Sequence, residues 1–337
     1  MVLSARQELD PHQALGTEHQ ALFVGVLMNL AYLHLLLNHV PTVGLGIGLG
    51  LFLAALIGKN DDLKRVSLEV FVVIALLALP AYLSGNAAQE TIAGLPEVSE
   101  ALIAAHQDAA LVAFVFMMIT GASAWIGLWQ FRRISRPARG NLSAVLVLAI
   151  VTVGLMARAA TIGGEIRHPE IRSGPDITAT EGPVGLSAST ASFVVGETWV
   201  WPASETLHFI GLCLVFGVIL LVNLRMLGMM KSVSVAALHR LLPWAIVGFG
   251  INAITGMLFF IGAPQQYTQN VAFYWKIVLL LLGGGNVLYL TVFDGARSVG
   301  PGDDAPLTDK VIAASAIFLW IGVIYCGRML PFIGNAF

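Results

Sequence analysis

The sequence predicts an all-α, polytopic membrane protein with about eight transmembrane helices. Of its 337 residues, 57% are hydrophobic and only 11% are charged, whereas about 25% are charged in a typical soluble domain. Apolar runs long enough to cross a bilayer, which takes about 20 residues, recur along the chain. The net charge of −2 leaves no basic excess to contact phosphates, so nucleic acid is excluded as an expected partner.

Eight apolar runs approach or reach this length, some with help from flanking residues. They cover residues 41–58, 66–83, 109–129, 142–156, 207–222, 242–261, 272–292 and 311–325. An earlier run, 21–37, is also apolar and is separated from the next one only by "NHVPT". We expect it to form either a ninth helix in a tight hairpin or a helix lying in the membrane interface.

A long polar stretch divides the eight runs into four and four. This stretch contains "GGEIRHPEIRSGPDITATEGPVGLSASTASF" and is rich in Gly, Ser and Pro. The sequence therefore predicts a polar N-terminal tail over 1–20 and an N-terminal four-helix bundle, with its preceding hydrophobic segment, over 21–160. A periplasmic loop over 161–204 and a C-terminal four-helix bundle over 205–337 follow.

The distribution of Lys and Arg predicts the orientation of the chain, because cytoplasmic loops carry an excess of both. The richer side, assigned to the cytoplasm, holds Lys59, Lys64, Arg65, Arg132, Arg133, Arg136, Arg139, Arg225, Lys231, Arg240, Arg297 and Lys310. The opposite side holds Arg158, Arg167, Arg172, Lys276 and Arg328. The protein is therefore expected in the bacterial inner membrane, with the loop over 161–204 in the periplasm.

Histidines gather on the predicted periplasmic side of the first bundle. "LHLLLNHVPTVGLG" places His34 and His39 in a very apolar stretch, His106 precedes the third run, and His168 follows the fourth. Haem b is held by axial imidazoles on the two faces of a porphyrin, and bundles build cofactor sites from facing helices. His39 and His106 begin two parallel helices at equal depth, so they are the predicted axial pair.

Two arginines and the remaining histidines extend this hypothesis. Arg158, near the outer end of the fourth helix, and Arg167 could neutralise the haem propionates. His34 and His168 could form a second axial pair. His34 and His39, however, are five residues apart, about 140° around a helix, so the two would not share one face of a continuous helix.

Three functions remain open on these residues. The first is a haem b electron-transfer protein, or a cytochrome b-like subunit of a respiratory-type complex, with a quinone, other subunits or a periplasmic electron carrier as partners. The second is a copper-handling protein, since imidazole also binds copper and zinc. The third is a cofactor-free structural subunit of a respiratory or photosynthetic complex, with pigment ligation by His208 as a variant. No hydrolytic motif is present, so an electron-transfer subunit is favoured over a stand-alone enzyme.

Two parts of the chain resemble families of bacterial membrane proteins. "LHLLLNHVPTVGLGIGLGLFLAAL", the helix of His106 and "GGEIRH" resemble an uncharacterised four-helix family, over about residues 33–172. Its members open the first span with His and a nearby Pro and end with Gly-Gly. "LHFIGLCLVFGVILLVNLRMLG" and "LHRLLPWAIVGFGINAITGMLFF" look like a second uncharacterised family, distantly similar to the copper-resistance D proteins.

The two resemblances imply a haem-b-type or metal-linked membrane subunit. His39, His106 and His168 match the histidine positions of the first family. His208 matches the opening of the second family and is a secondary candidate ligand. Neither family has an assigned reaction that could be carried over to this chain.

Overall fold

The computed structural model describes residues 30–93, 95–96, 98–134, 137–172, 185–292 and 299–333, and this part of the chain contains no β-strand. Eight of its helices are long and apolar enough to cross a membrane. In chain order they are α1 Leu30–Ile57, α2 Asp61–Leu83, α3 Glu100–Ile134, α4 Arg139–Arg167, α5 Val200–Met226, α6 Leu242–Gly262, α7 Val271–Val292 and α8 Leu307–Met329. The predicted fold class, an all-α multi-pass membrane protein, is confirmed.

The described part of the apolar run 21–37 belongs to α1. Residues 30–37 are helical, Asn38 forms a turn, and the helix continues as His39–Ile57. The backbone N–H of Asn38 donates to the carbonyl of His34 at 2.8 Å, so the helix is not interrupted there. The expectation of a ninth helix or a separate interfacial helix is therefore wrong for residues 30–37, because they extend the first span; residues 21–29 lie outside the described residues.

The predicted loop over 161–204 is also shorter than expected. The fourth span, α4, continues to Arg167, a second helix covers Leu186–Gly196, and α5 already begins at Val200. The Gly and Ser content suggested a loop, but Gly163 and Gly164 lie inside α4. Residues 173–184 of the predicted loop lie outside the described part.

The first four long helices form a closed bundle. Each packs against the next in sequence, and α4 returns to pack against α1, so α1 and α3 lie on one diagonal and α2 and α4 on the other. Every helix contributes a fully buried side chain to the core, namely Phe52, Phe71, Met117 and Val145. Burial of these large apolar groups holds the bundle together.

The second half is an open bundle that interlocks with the first. α5 packs against α6 and α8, and α8 packs against α7, whereas α7 also contacts α2 and α3. Met257 of α6 and Leu288 of α7 pack against the core of the first bundle. The second half therefore packs against the first through α6 and α7.

A buried arginine organises the lysine-rich end of the second half. The guanidinium of Arg225 is 0% exposed and donates to the backbone carbonyls of Val233 at 2.6 Å, Gly300 at 2.7 Å and Asp303 at 3.3 Å. Those carbonyls belong to the segments after α5 and before α8. Arg225 therefore ties two loops together and is more than an exposed positive anchor.

Large apolar side chains cover the outside of both halves. Val43, Ile47, Ile254 and Phe318 are each more than half exposed, and they lie within the long helices. Such a surface would be unfavourable in water but matches the hydrocarbon of a bilayer. Contact with lipid is therefore expected around the whole set of long helices.

Candidate functional site

His34 is held at one end of the first bundle by the neighbouring helix. Its Nδ1 lies 2.9 Å from the carbonyl oxygen of Ala81 in α2. Because a carbonyl can only accept, Nδ1 carries the proton and Nε2 the lone pair. The ring lies beside Gly85, where an added Cβ would stand 3.5 Å from the imidazole Cε1.

His106 is held in the same way on the opposite helix. Its Nδ1 lies 3.0 Å from the carbonyl oxygen of Ala159 in α4, which again places the proton on Nδ1. The ring packs against Gly163, where an added Cβ would be only 3.0 Å from the imidazole Cε1. The "GGEIRH" segment therefore contains a glycine that lets an imidazole approach the α4 backbone.

The two imidazoles lie at the same end of the first bundle. His34 lies near the start of α1 and His106 near the start of α3, so both are at the same end of diagonally placed helices. In the described part of the chain neither Nε2 has a hydrogen bond, so both lone pairs are available to a ligand.

This pairing differs from the one that the sequence predicts. His39 is exposed on α1, whereas His34 turns towards α2 and lies at the same end of the bundle as His106. The cause is the continuity of α1 through Asn38: positions five apart then point about 140° away from each other, and only His34 faces α2.

The predicted second pair, His34 with His168, is not brought together either. His168 is exposed at the end of α4, and its Nδ1 lies 2.9 Å from Oε1 of Glu170. The pKa of Glu170 is lowered by its own backbone N–H and then by this hydrogen bond from His168. His168 therefore forms a local surface pair with Glu170.

The two predicted propionate partners occupy different faces of α4. Arg158 and Arg167 are both exposed. Arg167 follows Gly163 by four residues, so it lies on the face that touches His106. Arg158 precedes Ala159 by one residue, about 100° around the helix. Arg167 is therefore the better placed of the two beside the histidine pair.

Asp108 has a role that sequence reasoning did not find. Its Oδ2 accepts from the backbone N–H of Leu186 and its Oδ1 from that of Ser187, both at 2.9 Å. These N–H groups begin the helix Leu186–Gly196, whose first turn has no partner within the helix. A residue near His106 thus caps a helix that packs against α6, and no sequence signal links positions so far apart.

His208 lies apart from the pair, in the second half. Its Nδ1 is 2.7 Å from Oγ1 of Thr255 in α6, and its ring lies beside Phe259 with centroids 5.7 Å apart. Among the described residues no three His, Cys, Asp or Glu side chains converge as a metal-ligand group. The candidate ligands therefore divide into the pair His34 and His106 and the separate His208.

The structure is that of a multi-pass helical membrane protein with two part-buried imidazoles at one end of its first bundle. Comparison of the chain with known protein families, curated proteins and solved structures finds no match. The resemblances of the two halves to bacterial membrane families therefore remain predictions.

Proposed function

We propose that the first bundle binds one haem b between His34 and His106 and that the protein transfers electrons in the bacterial inner membrane. One observation carries the proposal. Each imidazole donates its Nδ1 proton to a backbone carbonyl of the adjacent helix, at 2.9 and 3.0 Å, and keeps Nε2 free. Histidine ligands are commonly oriented by such a bond, which fixes the tautomer and the ring direction.

The residues present fit a haem better than a protein-bound copper or zinc ion. A porphyrin supplies four nitrogens, so two imidazoles complete the iron coordination. Copper and zinc sites built from protein side chains usually need three or four ligands, and no group of three converges in the described part of the chain. When bound, the haem would supply a one-electron redox couple.

The chain's own residues would hold the group and adjust its surroundings. His34 and His106 would bind the two faces, and Arg167 could pair with a propionate. Tyr82 and Phe114 stack with centroids 4.6 Å apart next to this end of α2 and α3, which keeps water away and lowers the local dielectric constant. Both axial ligation and burial tune the potential of a haem.

The partners follow from the position of the pair. The lysine-rich end carries Lys59, Lys64 and Lys231, and we assign it to the cytoplasm by the positive-inside rule. The histidine pair then lies near the periplasmic side. A quinol, another membrane subunit or a periplasmic electron carrier could exchange electrons there.

The test is a reduced-minus-oxidised visible spectrum of the purified protein, with a pyridine haemochrome assay for haem type and stoichiometry. We expect a b-type spectrum and one haem per chain. His34→Ala and His106→Ala should each lose the haem, because one axial ligand disappears. His39→Ala is the matched control on the same helix as His34, and it should keep the spectrum, as should His168→Ala.

Two results would contradict the proposal in different ways. Loss of haem in His39→Ala with retention in His34→Ala would show that the pair predicted from sequence is the true one. A flat spectrum from folded protein supplied with haem would remove haem binding altogether. Metal analysis of that preparation would then test the copper alternative.

A further inference from the structure

A lysine without a counter-charge lies between two long helices of the second half. Lys276 lies five residues after the start of α7, and its Nζ is 3.5 Å from where a Cβ at Gly327 of α8 would stand. Its Cε and Cδ are 3.7 and 4.0 Å from the same point, so the end of the side chain lies against α8. Among the described residues the ammonium has no hydrogen bond and no ion pair.

The two helices that hold Lys276 do not supply an anion for it. A charge taken out of water is costly unless it is paired. Residues 263–292 contain no Asp or Glu, and the one carboxylate in residues 307–333 is Asp309, at the opposite end of α8. The ammonium is therefore suited to an anion from outside α7 and α8.

A second cation adjoins this contact. Arg328 follows Gly327 directly and is exposed, and its Cζ lies 5.7 Å from the centre of the Phe332 ring. Within the described part of the chain Arg328 forms no ion pair either. A guanidinium over an aromatic face keeps its N–H groups available at its edge. Two cations without counter-charges therefore meet at one short stretch of α8.

The contact between α7 and α8 lies near the end of both helices. α7 begins only about 7.5 Å before Lys276 along its axis, and α8 ends two residues after Gly327. Trp275, next to the lysine, is 60% exposed, and Tyr325 is 62% exposed. Because exposed Trp and Tyr side chains are enriched at the depth of lipid headgroups, we place the two cations at that depth.

The anion that lipids carry at this depth is a phosphodiester. Ammonium and guanidinium groups form charge-assisted hydrogen bonds with phosphate oxygens, and basic groups between membrane helices bind anionic headgroups. In phosphatidylcholine the phosphate is balanced by a cation of the same headgroup, whereas in phosphatidylglycerol it is not. A lipid with a net negative headgroup therefore matches the two cations better than a zwitterionic one.

We propose that Lys276 and Arg328 bind the phosphodiester of an anionic phospholipid, in the leaflet at the end of the protein opposite Arg225. The lipid would supply the negative charge that α7 and α8 lack, and its acyl chains would lie against the exposed apolar faces of the two helices. The site is separate from His34 and His106, and lipid binding there does not depend on the proposed function.

The experiment titrates the full chain in detergent with phosphatidylglycerol and with phosphatidylcholine of the same acyl chains. Native mass spectrometry counts the bound lipid, and the ratio of the two affinities measures the preference for negative charge. We expect the unmodified chain to prefer phosphatidylglycerol. Lys276→Gln should reduce this ratio by at least about five-fold, the effect of one cation facing an anionic lipid. Lys276→Arg should preserve it, because the positive charge remains.

Lys231→Gln is the matched control. The ammonium of Lys231 already lies 2.9 Å from Oδ2 of Asp304, so its removal should leave the ratio unchanged. If Lys276→Gln fails to fold, Arg328→Gln replaces it, since the side chain of Arg328 is exposed and contributes little to packing. This variant should reduce the ratio by about two-fold to three-fold, because exposed charge pairs are weaker.

An unchanged ratio in Lys276→Gln, or equal reductions in Lys276→Gln and Lys231→Gln, would overturn the proposal. Displacement of phosphatidylglycerol by inorganic phosphate, but not by chloride at the same ionic strength, would overturn the choice of a lipid in favour of a free anion. The haem spectrum is read separately. A colourless protein with a preference for phosphatidylglycerol that depends on Lys276 would refute the haem proposal and support this one.

Discussion

Arg225 and the pair of His34 and His106 are polar groups held inside the same helical membrane protein, yet their hydrogen bonds are different. All three nitrogens of the Arg225 guanidinium donate to backbone carbonyls of two loops. Each imidazole of the pair uses only Nδ1. The arginine has its donors satisfied by the protein, whereas the histidines each keep one nitrogen available.

The difference separates structural from functional polar groups. Burying a polar group is costly unless it is hydrogen-bonded, and Arg225 meets that requirement entirely through the chain. For the two histidines, the bond from Nδ1 to a carbonyl sets the direction of the ring, and Nε2 remains able to accept a hydrogen bond or to bind a ligand. The number of hydrogen-bonding positions left open therefore distinguishes the two regions better than burial does.

The largest effect on stability is expected for Arg225→Met. The substitution keeps an unbranched side chain but leaves the Val233 and Asp303 carbonyls without their donor, at about 1–3 kcal/mol for each buried group, while the Gly300 carbonyl keeps the N–H of Asp303. We expect a loss of at least about 2 kcal/mol, measured as unfolding in detergent by circular dichroism. Arg240→Met is the control, since Arg240 is exposed at the same end. Equal unfolding of the two variants would show that Arg225 acts only as a surface charge.

Smaller changes in stability are expected when two glycines of α4 are replaced by alanine, and the two changes should have opposite signs. Gly163→Ala would place a Cβ 3.0 Å from the His106 ring, whereas nothing lies within 4 Å of a Cβ at Gly154. Gly163→Ala should destabilise by about 1 kcal/mol through overpacking, and Gly154→Ala should stabilise by up to about 1 kcal/mol through helix propensity. Thermal unfolding compares the two, and stabilisation by both would mean that the ring moves aside freely.

The smallest effect is expected at the exposed Asp304. Its pKa is lowered first by the hydrogen bond from Lys231, at 2.9 Å, and also by Lys310. A lowered pKa in the folded state stabilises the protein above the ordinary aspartate pKa of about 3.9, and the contribution is lost as pH falls through the folded value. Asp304→Asn should therefore lower the melting temperature slightly at pH 7, and the difference between the two proteins should shrink as the pH falls below about 4. A difference that grows in acid would contradict this sign.

The eight spans could be predicted from sequence because hydropathy alone decides whether a segment crosses a bilayer. The side of each helix that faces inward could not. Around His34 and His39 nearly every residue is apolar, and lipid and protein interior are equally apolar, so no polar face marks the outside of α1. The sequence therefore could not show that His34, and not His39, turns towards α2.

Long-range contacts between side chains and backbone carbonyls could not be predicted from the sequence either. The charge of Arg225 predicts only a preference for the cytoplasmic side, because the carbonyls that bind it lie in loops without a distinctive composition. The glycines at the end of α4 suggested a loop. In the structure Gly163 lies inside the helix, where the absence of a Cβ lets the His106 ring approach the backbone. The sequence places four histidines at one end of the first half, and the structure shows that His34 and His106 each bond to a carbonyl of an adjacent helix.

The cap that Asp108 places on the helix Leu186–Gly196 has a consequence for biogenesis. A ribosome releases α3 well before residues 186 and 187, so the carboxylate that satisfies their N–H groups is synthesised first. The helix that leads into the second half thus receives its cap from a segment that is made before it.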